Sequence, residues 1–473
     1  MIKKLEYKYI VSLIYVFILF LDRMDITITN VAMPTFAKDF HIPVTQTDWI
    51  ATSFLIALGV AMPVSGWLSH RYGSKNIFII ANILFTFSSA LCALSWNLES
   101  LIFFRVLQGI GGGIIVPVGM SMTYMAFEKK DYPKVANYTL IPTLVAPSIA
   151  PAIGGFILQY LSWHWIFIFH IPIGISSIWL SILYLREDTE ERDKSKFDLA
   201  GFIFLTLCLS SLFYFLSHIG VAGIKNINSI ISGISSIIFL CMFLKHELKE
   251  KTPLINLNFF KIQLFSKSIV LQIALQICYF GSMFLIALYF QFCIGMTPLQ
   301  SGLSMTGQAV GTVAMLFFSG KLFNKFGPKY ILILGFVCIA ITTYSLLLVH
   351  NSSQILFANL ILGLRGLSIG LVNGPLQACA MFDLERNETT KGSAIFNILR
   401  QIGISLGVAL SCMILALQFP SSLLLNSTEV AHSDSLSAFK LTFFLFSCIA
   451  IFGAIFTLSI DNKAILAKLK GSQ

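Results

Sequence analysis

Charge is what this chain lacks most. Asp, Glu, Lys and Arg make up 11% of its 473 residues, where soluble domains carry about 25%. Hydrophobic residues make up 56%, more apolar surface than a soluble core could bury. Polar–apolar alternation is missing too. The apolar residues come in continuous runs of about 20, which excludes a membrane barrel and points to a polytopic helical membrane protein. Cysteine clusters are absent. The nine cysteines are scattered, most of them inside apolar runs (Cys92, Cys208, Cys241, Cys278, Cys338, Cys412, Cys448), with no C-x-x-C or Cys/His grouping. They read as small buried hydrophobes rather than disulfides or metal ligands. His70, His164 and His170 have no metal-ligand spacing either, so no metal is expected. Finally, the loops are short. No soluble catalytic domain is inserted, and no nucleophile is paired with His, so no enzyme is expected.

What is present is a series of fourteen apolar spans, running from about 9–31 to about 441–460, with the seventh and eighth (199–217 and 229–245) the shortest and weakest. The N-terminus resembles a signal peptide, but no small-x-small cleavage site follows and the helix continues through Asp22 and Asp25, so it reads as a retained first span. The net charge of +10 concentrates in alternate loops. With the N-terminus in the cytoplasm, 25 of the 32 Lys and Arg fall in cytoplasmic segments and three (Lys38, Lys225, Lys440) fall opposite. Arg23, Arg105, Arg365 and Arg400 lie within or at the edge of spans. This distribution sets topology, with both termini inside, and does not call for a nucleic-acid partner.

Two stretches carry the same punctuation 254 residues apart: GWLSHRYGSK (Gly66–Lys75) and GKLFNKFGPK (Gly320–Lys329). Each lies between two apolar runs, after the second and the tenth span. Repetition at a distance indicates two related halves, and related halves in a membrane protein point to a transporter. The expected organisation is an N-terminal six-helix bundle (1–190), an extra helix pair with cytoplasmic linkers (191–265) and a C-terminal six-helix bundle (266–473). Gly66, Arg71, Gly73, Lys75, Gly320, Lys325 and Gly327 are read as cytoplasmic hinge loops.

The chemistry is expected in charged residues inside spans. Asp22 and Asp25 are three apart in FLDRMDITITNVAMP and share a helix face. A charge at the centre of a spanning helix costs about 2.5–3.5 kcal/mol. A carboxylate kept from water beside a second one takes up a proton more readily than one in solution, which suits a proton-coupled carrier. The alternative for Asp22 is an ion pair with Arg23 or a structural place beside a wet cavity. Arg105 lies a turn into the fourth span and needs a carboxylate or carbonyl partner, with Gln108 on the same face. A purely structural arginine bonding loop carbonyls is the alternative. Gly109 and Gly113 form a small-xxx-small face for close helix packing. In the fifth span Pro147, Pro151, Gly154 and Gly155 suggest a kinked helix with a bare face. The second half repeats the theme with Arg365, Gly366, Gly370 and Pro375, then Arg400 and Gln401. Asn30, Asn373, Gln377, Arg365, Arg400 and Gln401, with Arg105 and Gln108, are the candidate cavity and gating residues. Interhelical glue is the competing reading for each polar one.

These residues resemble the 14-helix branch of drug:proton antiporters in the major facilitator superfamily. MDITITNVAMP is similar to that branch's first-helix motif D-x-T-I-V-N-V-A-L-P, with Asp25 on its acid. GWLSHRYGSK resembles the loop motif G-x-L-A-D-R-x-G-R-K, and RVLQGIGGG matches the fourth-helix motif. PSIAPAIGGFI resembles the fifth-helix antiporter motif, WHWIFIFHIPIG the branch's W-R-W-I-F-x-I-N-x-P-I-G, and FNILRQIGISLGVAL its R-Q-x-G-x-x-x-G. The likeness covers residues from about 10 to 460. The chain departs at His70 (usually Asp), Ser74 (usually Arg), Ala150 (usually Gly) and His170 (usually Asn). The resemblance implies efflux of lipophilic drugs or related small molecules across a bacterial inner membrane. It implies proton entry as the driving force, no cofactor, and Asp25 as coupling acid. A tripartite role would require a periplasmic adaptor and outer-membrane channel, because the external loops are too short to cross a periplasm. Export of one metabolite, such as a siderophore or organic acid, is the first rival, since the arginines could hold an anion. A non-transporting sensor is the second.

Overall fold

The computed structural model describes residues 6–42, 44–187, 196–222, 226–250, 252–295, 298–349, 354–385, 388–418 and 432–471. They are helical almost throughout, as continuous apolar runs in a membrane demand, because every backbone group must be satisfied within its own segment. Fourteen long helical segments follow one another: α1 (Tyr7–Asp39), α2 (Val44–Tyr72), α3 (Ser74–Ala93), α4 (Leu98–Ala126), α5 (Tyr132–Tyr160), α6 (His164–Tyr184, interrupted at Phe169), α7 (Leu199–Ala222), α8 (Ile227–Glu247), α9 (Gln263–Gln276, then a π-helical turn Ile277–Gly281, then Ser282–Phe292), α10 (Pro298–Phe326), α11 (Pro328–Ser345), α12 (Ile355–Phe382), α13 (Thr389–Gln418) and α14 (His432–Thr457). A short helix, α15 (Asn462–Gly471), ends the chain. Among the described residues, eleven helices are long and apolar enough to cross a membrane. The other three long ones, α1, α5 and α10, have 33, 29 and 29 residues.

Several helices run past the apolar spans that announce them. Helix α1 continues to Asp39, and α7 and α8 reach 24 and 21 residues rather than remaining short. Hydropathy reports the part of a helix in hydrocarbon, whereas the backbone goes on hydrogen-bonding into the polar zone. Helix α14 likewise starts at His432, ahead of its apolar span at about 441. The sequence Asn426-Ser-Thr, formally a glycosylation acceptor, lies outside the described residues, as does most of the charged stretch from Arg186 to Asp198.

The two repeats adopt one geometry. Gly73 separates α2 from α3 at φ 88°, and Gly327 separates α10 from α11 at φ 76°. In each, the glycine amide closes the preceding helix, on Ser69 and on Phe323, at 2.8 Å in both cases. Positive φ is costly for any residue with a Cβ, so glycine at this place is dictated by the turn. The first glycine of each repeat has another purpose. A Cβ on Gly66 would meet Lys391 of α13, and one on Gly320 would meet Asn137 and Lys134 of α5. Each half thus uses a bare spot to approach the other. Inside the halves the same device recurs. Gly109 and Gly113 set α4 against the backbone of α2 at Phe54 and Leu58, and Gly366 and Gly370 set α12 against the backbone of α10 at Gln308 and Thr312. Without a hydrophobic drive between helices, such close backbone contact is what holds a bundle together in lipid.

The halves meet along α2 with α13, α4 with α13, and α5 with α10 and α12. The pair α7–α8 packs on itself and then, through α7, on α2 and α13. The buried apolar core is continuous through both halves at the end that carries the basic loops and both termini, called here the basic end. Toward the opposite end it divides into separate clusters, around Met24–Phe36 and Ile166 in one half and around Leu285–Phe290 and Phe443 in the other.

Candidate functional site

The site begins with where α4 starts. Asn97 caps the helix, its Oδ1 accepting from Ser100 N at 2.8 Å while Ser100 Oγ accepts from Asn97 N at 3.2 Å. This reciprocal cap fixes the entry of α4, and Arg105 and Gln108 follow on its inward face. Arg105 is wholly buried. Its Nη1 lies 2.5 Å from Asp25 Oδ2 and donates to Gln108 Oε1 at 2.7 Å, and its Nε donates to the Ile50 carbonyl at 3.2 Å. Gln108 Nε2 reaches Asp25 Oδ1 at 3.3 Å and Ser89 Oγ at 2.7 Å. The guanidinium stacks on Phe54, 4.2 Å from the ring centre, an added stabilisation for a desolvated cation. The partner expected for Arg105 is therefore the carboxylate of Asp25.

A third helix completes the cluster. His170 of α6 is fully buried, with Nε2 at 3.8 Å from Asp25 Oδ1 and without a hydrogen-bond partner among the described residues. Its Nδ1 lies 2.8 Å from the Ile166 carbonyl, so Nδ1 carries a proton, and Nε2 is the ring nitrogen that faces Asp25. His170 was marked in the sequence only as a departure from the usual Asn. Its link to Asp25, 145 positions earlier in the chain, has no signature in spacing.

The second half holds the counterpart without the acid. Arg365 on α12 is also wholly buried. It bonds Gln308 Oε1, Thr343 Oγ1, the Cys278 carbonyl and Ser282 Oγ, the last two at the π-helical turn of α9. All its hydrogen-bond partners among the described residues are neutral. Among the described residues, Asp25 is the one carboxylate that contacts either of these two arginines.

Asp22 sits apart from that network. It is buried, both carboxylate oxygens lack a hydrogen-bond partner among the described residues, and Arg23 Nε approaches to 3.4 Å. The ion pair weighed for Asp22 is thus present, though not as a hydrogen bond. Arg400, on α13 in the other half, lies within electrostatic reach of Asp22, Arg23, Tyr15 and Tyr279, and its Nε has no hydrogen-bond partner among the described residues. Gln401 is buried beside it in sequence.

Of the remaining candidates, Asn373 accepts from Gln272 at 3.3 Å within the second half. Gln377 crosses between halves, donating to Thr139 at 2.8 Å. Gly154 packs on Ile28 of α1, while Gly155 faces open space. Pro147 and Pro151 lie in the continuous α5, and their side chains, like that of Asn30, are outside the described residues. Lys325 is exposed over the Phe326 ring, and Arg71 and Lys75 are half-buried beside Gly73.

Apart from Gln377, the polar groups that join the halves are not singled out by the sequence. Asn137 donates to the Leu316 carbonyl and accepts from Ser319 at 3.1 Å. Ser393 donates to the Pro117 carbonyl at 2.8 Å, Ser121 meets Thr390 at 2.6 Å, and Asn324 donates to Lys130 O at 3.2 Å. All lie toward the basic end. Such a bond contributes about 0.5–1.5 kcal/mol net, so together they bias the bundle toward closure there. Asn137→Ala removes two of them. It is expected to shift the closed–open balance by roughly tenfold. Distances between spin labels placed at Lys129 and Lys325 check this, and the longer population should grow.

Residues 15–408 match the family model described as Major Facilitator Superfamily. The chain belongs to the Major Facilitator Superfamily. Its curated relatives include the uncharacterized MFS-type transporter YhcA of Bacillus subtilis, 29% identical over 424 residues, covering 89% of this chain and 80% of the relative. The putative multidrug resistance protein MdtD of Yersinia enterocolitica is 28% identical, covering 89% of each. The multidrug resistance protein B homolog of Mycobacterium tuberculosis is 27% identical, covering 85% of this chain and 75% of the relative. Among solved structures, the human organic anion transporter MFSD10 (TETRAN) superposes with a TM-score of 0.66 at 13% identity, covering 96% of this chain and all of that one. The proton:xylose symporter XylE superposes at 0.64 and 13%, covering 96% of each. These two carry the fold alone. Membership in the Major Facilitator Superfamily makes this a multi-pass membrane transporter of small molecules rather than an enzyme.

Proposed function

We propose that this transporter exports lipophilic drugs or related small molecules from the cytoplasm in exchange for protons, with Asp25 as the coupling acid. The observation that carries the reading is the buried contact of Asp25 with Arg105 and Gln108, set beside the acid-free cluster at Arg365. A proton and the Arg105 guanidinium compete for one carboxylate. Neutralising Asp25 removes the charge that holds Arg105, so protonation can be read out as a rearrangement between α1 and α4. His170 Nε2, 3.8 Å from the same carboxylate, is one short step for that proton.

The positive-inside rule supports a cytoplasmic basic end with both termini inside, and the family resemblance supports a bacterial inner membrane. The fourteen long helices then all cross the membrane, as bundles 1–190 and 266–473 with the pair 191–265 between them. In this arrangement the inter-half bonds at Asn137, Gln377 and Ser393 close the cytoplasmic side. Export requires them to part and reform, with one half moving against the other. No cofactor beyond the proton gradient enters the scheme. Where an outer membrane must also be crossed, a periplasmic adaptor and an outer-membrane channel are the partners needed.

A specific observation favours the second reading, export of an anionic metabolite such as an organic acid or siderophore. Arg23 and Arg400, from opposite halves, each keep a buried Nε without a hydrogen-bond partner among the described residues. The two readings separate in cells with and without the gene. Drug export predicts higher accumulation of a lipophilic cationic dye in the deletion strain. A rise in an intracellular organic acid with unchanged dye moves the assignment to the metabolite. No change in either, with the protein present in the membrane, contradicts export.

A further inference from the structure

At the basic end of the additional pair, three ligand-type side chains converge away from the site above, with the carboxylate of Glu247 beside them. Asp198 precedes α7, and its Oδ1 accepts from Gly201 N at 2.9 Å as a helix cap. His246, on the last turn of α8, places Nε2 at 2.8 Å from the same Oδ1. Glu247 is the next residue, and Glu250 lies one turn beyond His246, its amide bonded to the His246 carbonyl at 3.0 Å. One ligand atom each of Asp198, His246 and Glu250 can be chosen so that all three lie within 4.8 Å of one another.

Two further facts separate this group from an ordinary surface cluster. Glu247 is 4% exposed, and neither of its carboxylate oxygens makes a full hydrogen bond among the described residues, the nearest donors being the amides of Leu254 and Ile255. Asp198 Oδ2, also buried, makes none either. Both are aimed into the same space: a Cβ built on Gly201 would collide with Asp198 Oδ2 and come within 3.0 Å of Glu247 Oε1. Glycine at 201 is what leaves that space open. Three carboxylates and one imidazole are thus gathered at a helix junction with carboxylate oxygens left over. Burying unpaired carboxylates is costly, and either protonation or a bound cation relieves the cost.

We propose that Asp198, His246, Glu247 and Glu250 form a divalent-metal site that clamps the two helices of the additional pair to each other. One imidazole nitrogen with carboxylate oxygens suits a zinc- or manganese-like ion, with bonds of about 2.0–2.2 Å for zinc. Binding replaces the His246–Asp198 hydrogen bond. The proton on Nε2 moves to Nδ1 or to solvent, and the neutral nitrogen takes the metal. The ligands come from the two ends of a helical hairpin, 48 positions apart, so no short spacing motif reveals them. The site is distinct from Asp25, and its test is independent of the export reading.

The test uses the purified full-length protein in detergent, stripped with chelator and titrated separately with zinc chloride and manganese chloride. The expected result is one equivalent bound by calorimetry with at least one of the two, accompanied by a higher thermal midpoint. His246→Ala and Glu247→Gln, each confirmed as folded by circular dichroism, should weaken binding at least tenfold and lose the thermal shift. Asp25→Asn should bind as the unmodified protein does. If the unmodified protein binds neither ion at one equivalent, or if both substituted proteins bind with unchanged affinity, the site does not exist. Should Glu247→Gln fail to fold, His246→Ala alone decides.

Discussion

Arg105→Ala is expected to be the most destabilising single change in the first half. The guanidinium is fully buried and pairs with a carboxylate that is itself fully buried. Removing one partner of such a pair leaves the other charge without compensation, a cost of about 3–5 kcal/mol. The loss includes the bonds to Gln108 and to the Ile50 carbonyl and the stacking on Phe54. Thermal unfolding in detergent should show a large drop in the midpoint. On the Arg105→Ala background, Asp25→Asn removes the uncompensated charge and should recover part of the loss, a non-additivity that two independent sites would not show. Strict additivity would mean that Arg105 is held by carbonyls and packing and that its contact with Asp25 carries no energy.

Asp25→Asn alone is expected to act on transport far more than on the fold. Asparagine has nearly the shape of aspartate and can still accept from Arg105 and pair with Gln108, so insertion and helix packing should survive. What it cannot do is change charge. Coupling requires that substrate and proton bias the same two-state element in opposite senses. With a permanently neutral side chain, one half of that linkage is missing. Efflux driven by a pH gradient should fall to the level seen without a gradient, while passive exchange of substrate between equal concentrations continues. His170→Asn restores the residue usual at that position in the resembling family. It offers a milder comparison, because the Asp25–Arg105 pair is untouched.

Much of this was legible in the chain, for a physical reason. In lipid a helix must bury its own backbone polarity, so apolar run length translates directly into helices. The repeated G-x-L-x-x-[R/K]-x-G-x-K translates into one turn geometry because a positive φ at Gly73 and at Gly327 leaves little choice of residue. The demand that a buried arginine find a partner was equally readable for Arg105, and the partner proved to be an acid already singled out. What could not be read is whatever depends on which helices become neighbours. His170 meets Asp25, Asn137 meets Leu316 and Ser393 meets Pro117 only after the helices pack. A lone His, Asn or Ser inside a span reads the same whether it bridges two halves or bonds its own helix. Arg365 illustrates the converse. It was grouped with the cavity residues by its likeness to Arg105, and the fold gives it neutral partners from α9, α10 and α11.

The most direct measurement of the central claim is proton–substrate exchange in proteoliposomes carrying the unmodified protein or Asp25→Asn, with an interior pH dye and a lipophilic cationic substrate. For the unmodified protein, adding substrate should move protons across the membrane at a rate that follows substrate flux. For Asp25→Asn, substrate should still exchange with no proton movement above protein-free liposomes. Equal proton movement in both would contradict the assignment of Asp25.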